Sequence, residues 1–312
     1  MTLTFAASKY APAPAAAGPR TSRKLRRTLT GWAFAGPATL IVVGLSLFPA
    51  VWAFFISRTK WNGIAQPTDI GWANYERLAR DPDLAAAAQH TLVLTLLFVP
   101  GSIALGLLLA IALNQRIRLI GFYRTCIFVP YVASAAATGI LAGYVFNPQF
   151  GLANDVLRRA GLPAQQFLES PRQALVVVCI VALWGEVGFT SVVYLAALQD
   201  VPKELIEAAT VDGAGKWRVL RSVTLPQLRP VTLFATVWQT ITALQLFDLI
   251  YTTTRGGPMN STQTVVYYVY ELAFQTRRLG YGAAVAYILF AVTLLLTALV
   301  IWRSRRSGEE AF

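Results

Sequence analysis

Six long apolar stretches dominate this chain of 312 residues and leave it few ways to fold. They run over 32–56, 85–113, 125–146, 174–199, 230–254 and 282–302. Each reaches the approximately 20 residues that cross about 30 Å of hydrocarbon at 1.5 Å per residue. Lipid offers no partner for free backbone groups, so helices are the natural choice. Charge is scarce to match. Only 13% of the residues are charged, against about 25% in a soluble domain, too few to coat a globule of this size. The first stretch exceeds a signal-peptide core of about 7–15 residues, and no small-residue cleavage site follows it, so it reads as a retained helix. The expected fold is all-α, a polytopic membrane protein with six transmembrane helices in a domain over 32–302. Residues 1–31, Ala/Pro-rich and then basic, are expected to form a disordered cytoplasmic tail, and 303–312 a second cytoplasmic tail.

The net charge of +12 is a topology signal. With six spans both termini lie on one side. If that side is the cytoplasm, 17 of the 27 Lys and Arg fall in inner segments and 10 in outer loops, the bias of the positive-inside rule. The short inner loop 114–124 alone carries Arg116, Arg118 and Arg124. Acidic lipid headgroups are then the partner of this charge, and there is no nucleic-acid footprint. Cys126 and Cys179 sit in apolar runs, which implies no disulfide framework. The single His90 opens an apolar run without companions for a metal or a triad, and reads as an interface residue. Pro37, Pro49, Pro100 and Pro130 lie inside the spans, where neighbours re-satisfy the backbone. Gly139 and Gly143 form a small-xxx-small pair, a weak sign of a packing face.

The segment 200–229 differs from the rest. Asp200 suits a helix cap, with Pro202 in the first turn. Leu205, Ile206, Ala208 and Ala209 give the helix an apolar face. Asp212-Gly213 breaks it, because glycine accepts a positive φ at a helix end. A second short helix carries Trp217, Leu220 and Val223 at spacing three, among Lys216, Arg218 and Arg221, and Pro226 is expected to end it. The pattern alone allows an interfacial helix lying on headgroups or a knob seated in a soluble partner's groove.

The loop resembles the EAA motif of ABC importer permeases. Glu207-Ala208-Ala209, Gly213, Val223 and Leu225-Pro226 match its spacing throughout, with Val in place of the usual Ile. The resemblance extends to the maltose-type carbohydrate permeases through Phe247-Asp248-Leu249-Ile250-Tyr251, Gly256-Gly257-Pro258-Met259-Asn260-Ser261-Thr262 and Tyr281-Gly282-Ala283-Ala284. Arg124-Thr125, Pro130-Tyr131 and Phe150-Gly151-Leu152 belong to the same likeness, which covers 32–302. The chain lacks the extra leading helices and large outer insert of the maltose protein.

This resemblance implies a permease subunit in the plasma (inner) membrane of a prokaryote, multi-pass, with both termini cytoplasmic. It implies a second homologous permease, two cytoplasmic ATPases and an extracytoplasmic binding protein as partners. A cytoplasmic coupling helix, with Glu207, Ala208, Ala209, Gly213, Leu225 and Pro226, would seat in the ATPase and pass its ATP-driven closure to the membrane helices. ATP and Mg would belong to the ATPase, with none bound by this chain: Gly215-Lys216 is followed by Trp217 and has no upstream phosphate-loop glycine. Carried over from the family, the solute-facing positions are Tyr131, Glu186, Phe189, Gln239, Thr242, Ala243 and Leu246. The positions on 239–246 also share one helical face. Glu186 and Asp248 are the carboxylates within the spans, and intramembrane carboxylates default to function. A secondary transporter or channel would leave the EAA loop without a purpose. An intramembrane enzyme should show paired Asp, a His cluster or a Ser/Lys pair, and none is visible.

Overall fold

The computed structural model describes residues 20–115 and 117–306 and is almost wholly helical. Arg116, counted above among the inner cations, lies outside the described residues, as do the tail segments 1–19 and 307–312. The chain divides into two units, 1–53 and 54–312. In the first, helix α1 (Arg20–Val42) passes through a π-helical turn (Val43–Leu47) into α2 (Phe48–Ser57), which reaches the unit boundary. The helix therefore begins well before the apolar stretch, inside the segment expected to be a disordered tail. No proline interrupts residues 20–36, so nothing local stops the helix from extending outward from the span. Phe34 and Leu45 are exposed, as suits a helix whose solvent is lipid.

In the second unit a two-stranded ribbon, β1 (Thr59–Lys60) with β2 (Thr68–Asp69), is followed by α3 (Ala73–Leu78) and the long α4 (Pro82–Leu113). Asp81 caps α4 by accepting from the backbone N–H of Asp83 and Leu84. The same carboxylate accepts from the hydroxyls of Tyr268, at 2.8 Å, and Tyr281. Partial burial pushes its pKa up, but the hydrogen bonds from Tyr281, Tyr268 and the two backbone donors outweigh it and hold the carboxyl below its usual range. Beyond α4 come α5 (Ile120–Val132), α6 (Ala135–Val145) and α7 (Leu152–Arg159). Then follow α8 (Ala174–Asp200), α9 (Lys203–Val211), α10 (Lys216–Val219), α11 (Leu225–Gln227) and α12 (Arg229–Leu244). The chain closes with α13 (Asp248–Thr253), α14 (Val265–Tyr270) and α15 (Leu279–Arg306).

Five helical segments among the described residues are long and apolar enough to span a membrane. The stretch 125–146, expected to be one continuous helix, is broken: α5 and α6 meet at 99°. Pro130 withdraws a backbone donor from the last turn of α5, and Ala133 and Ser134 then run extended into α6. A second break at Gln245–Phe247 separates α12 from α13. Free backbone at such breaks persists in a membrane only where protein or a watery cavity satisfies it.

Helix α8 is the central element and packs along α4. Leu94, Phe98, Val178, Cys179 and Ile250 form one buried cluster, and Ala110, Leu113, Tyr194, Leu195 and Leu228 another. Glycines set the close approaches. A Cβ on Gly139 would stand 1.9 Å from the Thr252 hydroxyl, whereas Gly143 faces open space, so one half of the small-residue pair packs. A Cβ on Gly188 would lie 2.4 Å from the Ile127 carbonyl oxygen, backbone of α5 that cannot rotate away. Gly188→Ala is therefore expected to push α5 off α8 at a cost of about 1–3 kcal/mol. Thermal unfolding of the solubilised protein checks this; an unchanged midpoint would show that α5 yields.

His90 Nδ1 lies 3.1 Å from the Gln263 carbonyl, and the Thr91 hydroxyl accepts from the backbone N–H of Val265 at 3.0 Å. These contacts tie α4 to the loop before α14. Cys126 and Cys179 are both free thiols.

Candidate functional site

The coupling segment is built from helix ends. Helix α8 continues through Asp200, so Asp200 closes that helix and does not cap α9; Pro202 takes the cap position without a side-chain bond. Gly213 has φ +80°, as its place after α9 required. The Ala214 N–H returns to the Ala209 carbonyl at 2.9 Å and the Gly213 N–H to Thr210 at 3.0 Å, closing the helix end. After α10 the chain passes through a π-helical turn, Leu220–Thr224, into α11. Pro226 thus lies within a helical turn and does not end the segment. The wide turn lets the chain stay helical across a residue that cannot donate.

This segment is anchored at one end and bare at the other. Leu225 packs on the cluster that holds Leu113, Tyr194 and Leu228. Glu207 and Ala208 are exposed and Ala209 is half-buried. Leu205, Val211 and Trp217 are 42%, 88% and 72% exposed. Large apolar side chains left exposed on α9 and α10, with Lys216 and Arg218 in the same segment, are of the kind that a protein partner covers. Val211 is among them although no sequence motif marked it.

The predicted solute contacts divide into two groups. Tyr131, Glu186 and Phe189 come together. The Tyr131 and Phe189 rings stack, with centroids 5.1 Å apart and planes at 25°. Phe189 continues onto Trp238 at 5.3 Å, and Trp238 onto Phe234 at 6.1 Å. The rings thus bridge α5, α8 and α12, beginning beside the break in the third span. Glu186 lies one turn from Phe189 and next to the Gln239 amide. Its Oε2 is buried without a hydrogen-bond partner among the described residues, and so is Gln239 Oε1. Gln239 itself is fully buried; its Nε2 donates to the Thr190 hydroxyl at 2.7 Å, which sits 2.9 Å from the Ser102 hydroxyl.

Ala243 and Leu246 belong to the buried apolar cluster around Phe98 and Val178. The inward face of α12 is therefore Ala235, Gln239 and Ala243, while Phe234 and Trp238 lie exposed with Thr242 half-buried beside them. The face expected from the sequence is turned by about one residue, or 100°. Trp238 was missed; its spacing of four from both Phe234 and Thr242 was the available signal. An apolar cavity of 290 Å³ between α6 and α8 contains none of these residues, nor does a polar cleft of 570 Å³ beside Asp81. Trp238 and Phe234 leave the outer end of the ring ladder exposed.

The family model described as binding-protein-dependent transport system inner membrane component matches residues 102–307. The chain belongs to this family. The lactose transport system permease protein LacF of Rhizobium radiobacter is 34% identical over 92% of this chain and 97% of its own length. The sn-glycerol-3-phosphate transport system permease protein UgpA of Agrobacterium fabrum is 33% identical over 84% of this chain and 90% of its own. A bacterial ABC transporter that imports the acidic polysaccharide alginate shares the fold, with a TM-score of 0.81 at 24% identity over 92% of this chain and 99% of that one. The permease is thus a multi-pass inner-membrane transport subunit of an ABC importer, not an enzyme, and works with an ATPase and a solute-binding protein.

Proposed function

We propose that this permease carries a sugar or closely related solute, paired with a second homologous permease and driven by two cytoplasmic ATPases that bind ATP and Mg. The observation that supports this most is the Tyr131–Phe189–Trp238 ring ladder beside the unpartnered Glu186 Oε2. Ring faces suit the apolar faces of a sugar, and a bare acceptor oxygen suits its hydroxyls. A buried acceptor without a donor costs about 1–3 kcal/mol, and a bound hydroxyl would recover it. Glu186 is half-buried, and rotation of its carboxylate would bring the buried Oε2 to a solute on the ring face; the fully buried Gln239 lies beside it. The open ring face would be completed by the second permease. Solute delivered from outside would enter when ATP closes the ATPase pair and the α9 knob carries that displacement into α8 and α12, since packed elements transmit movement rather than absorb it.

Uptake by the reconstituted complex tests this, with lactose, maltotriose and glycerol-3-phosphate as probes. ATP-dependent entry of a saccharide is expected, and transport confined to non-carbohydrate solutes would overturn the reading.

The proposed orientation puts both termini and the coupling segment in the cytoplasm and the 255–281 segment outside. Ser261 is a poor reporter because its hydroxyl is buried; Met259, 89% exposed, is a good one. Met259→Cys, in a background with the exposed Cys126 changed to Ser, is expected to react with an impermeant thiol reagent added to intact cells. Labelling only after lysis would reverse the topology.

A further inference from the structure

A second aromatic group stands at the end of α12 opposite the coupling segment. The Phe247 ring stacks on Tyr251, with centroids 5.5 Å apart at 25°, and meets Tyr270 at 5.1 Å. Tyr270 continues onto Phe274 at 5.4 Å. Beneath them Tyr267, 4% exposed, forms a buried floor that stacks on Phe247 at 6.2 Å. The group grades from this floor to bare rings: Tyr251 is 39% and Phe274 73% exposed.

Two features separate this shelf from ordinary core packing or a lipid belt. Its rim is polar. Tyr251 and Tyr270 meet edge to face at 5.3 Å, and Gln275, the Asp248 carboxylate and Arg255 lie exposed alongside. Exposed charges bordering bare rings face water, since hydrocarbon would penalise them. The backbone is also unusual. Phe274 is carried on a π-helical turn, Glu271–Gln275, that follows directly on α14, and such turns recur at functional sites.

We infer that Phe247, Tyr251, Tyr270 and Phe274 form an outer receiving subsite, which holds a saccharide ring released by the binding protein before it reaches the deeper Tyr131–Phe189–Trp238 ladder. This rests on the proposal that the permease carries a carbohydrate. Flat rings with hydroxyl, amide and carboxylate groups at their edge meet both faces of sugar chemistry. The spacing is also suitable. Trp238 to Leu244 rises about 9 Å along α12, and Phe247 follows three residues further on, past the break, a separation within the reach of a short oligosaccharide.

The test uses the reconstituted complex with its binding protein and measures sugar imported per ATP hydrolysed, with lactose and maltotriose as probes. Phe274→Leu and Tyr251→Leu keep the side chains apolar but remove the flat faces. If the shelf holds the sugar after release, each should lower sugar per ATP by about threefold to tenfold, the worth of one ring contact. Docking of the binding protein and its stimulation of ATP hydrolysis should stay at wild-type values. Phe274→Trp should retain coupling. Leu variants indistinguishable from wild type, in a complex that does import the sugar, would overturn the subsite alone. Weakened docking would instead make the shelf a protein contact and would also overturn it. A wild-type complex that imports no saccharide would overturn both this inference and the carbohydrate reading.

Discussion

Gly213→Val is expected to leave the permease folded, inserted and loaded with solute, and to reduce uptake about tenfold or more. Gly213 holds φ +80° where α9 turns back. Nothing lies within 4 Å of the position its Cβ would take, so the substitution acts through the backbone and not through a clash. A β-branched residue at that φ is strained by about 1–3 kcal/mol. The cheapest relief moves the turn, which shifts Ala209 and Thr210, whose carbonyls accept the closing bonds. The exposed Leu205, Val211 and Trp217 would then no longer present one shape. The anchored end at Leu225 should hold, because it packs in the core. Gly213→Asn should be milder, since Asn tolerates a left-handed backbone. Uptake, membrane abundance and co-purification of the ATPase should be measured together. Normal uptake by Gly213→Val with the ATPase bound would remove the turn from the coupling path.

What the sequence made legible follows the strength of each signal. Apolar stretches that match a bilayer's thickness are nearly unambiguous, and the helices fall where they do. The break at Ala133–Ser134 was not legible, because Pro130 inside a span is compatible with a kink, a break or neither. The coupling segment was legible through fixed spacings, yet its local details were misread at Asp200 and Pro226. There, propensity for a cap and for a stop lost to the continuity of α8 and to a π-helical turn. The proposed solute face was half legible. Tyr131, Glu186 and Phe189 sit on two helices that the fold brings together, whereas on α12 a rotation of one residue exchanges Trp238 for Ala243. Period alone fixes the spacing of a helical face and not its phase, which depends on where α12 starts against α8.

Replacing Glu186 should have the second large effect, and it separates a solute contact from a structural carboxylate. A carboxylate inside a span is costly unless something compensates it. Arg158 pairs with Asp155 outside the spans, and Glu186 Oε2 has no hydrogen-bond partner among the described residues. The Gln239 amide, which donates one N–H to Thr190, lies beside the carboxylate, and Oε2 is still left without a partner. Of the compensations left, which are protonation, a cation of the second permease and a donor that arrives with the solute, the last agrees with a half-buried position beside the Phe189 ring. A hydrogen bond to a charged group is worth about 1.5–3 kcal/mol, which converts to roughly 10- to 100-fold in apparent affinity. Glu186→Ala should therefore lower the affinity of uptake by that factor while membrane abundance and ATPase assembly stay normal. Glu186→Gln keeps the shape and loses the charge. It should impair uptake less and relax discrimination against anions, because an ionised carboxylate attracts hydroxyls and repels phosphate. This charge argument favours a neutral or cationic saccharide for this permease, although the similar UgpA is named for sn-glycerol-3-phosphate. Uptake by Glu186→Ala at wild-type rate and affinity, or a natural solute that proves to be a phosphate ester, would sink the assignment.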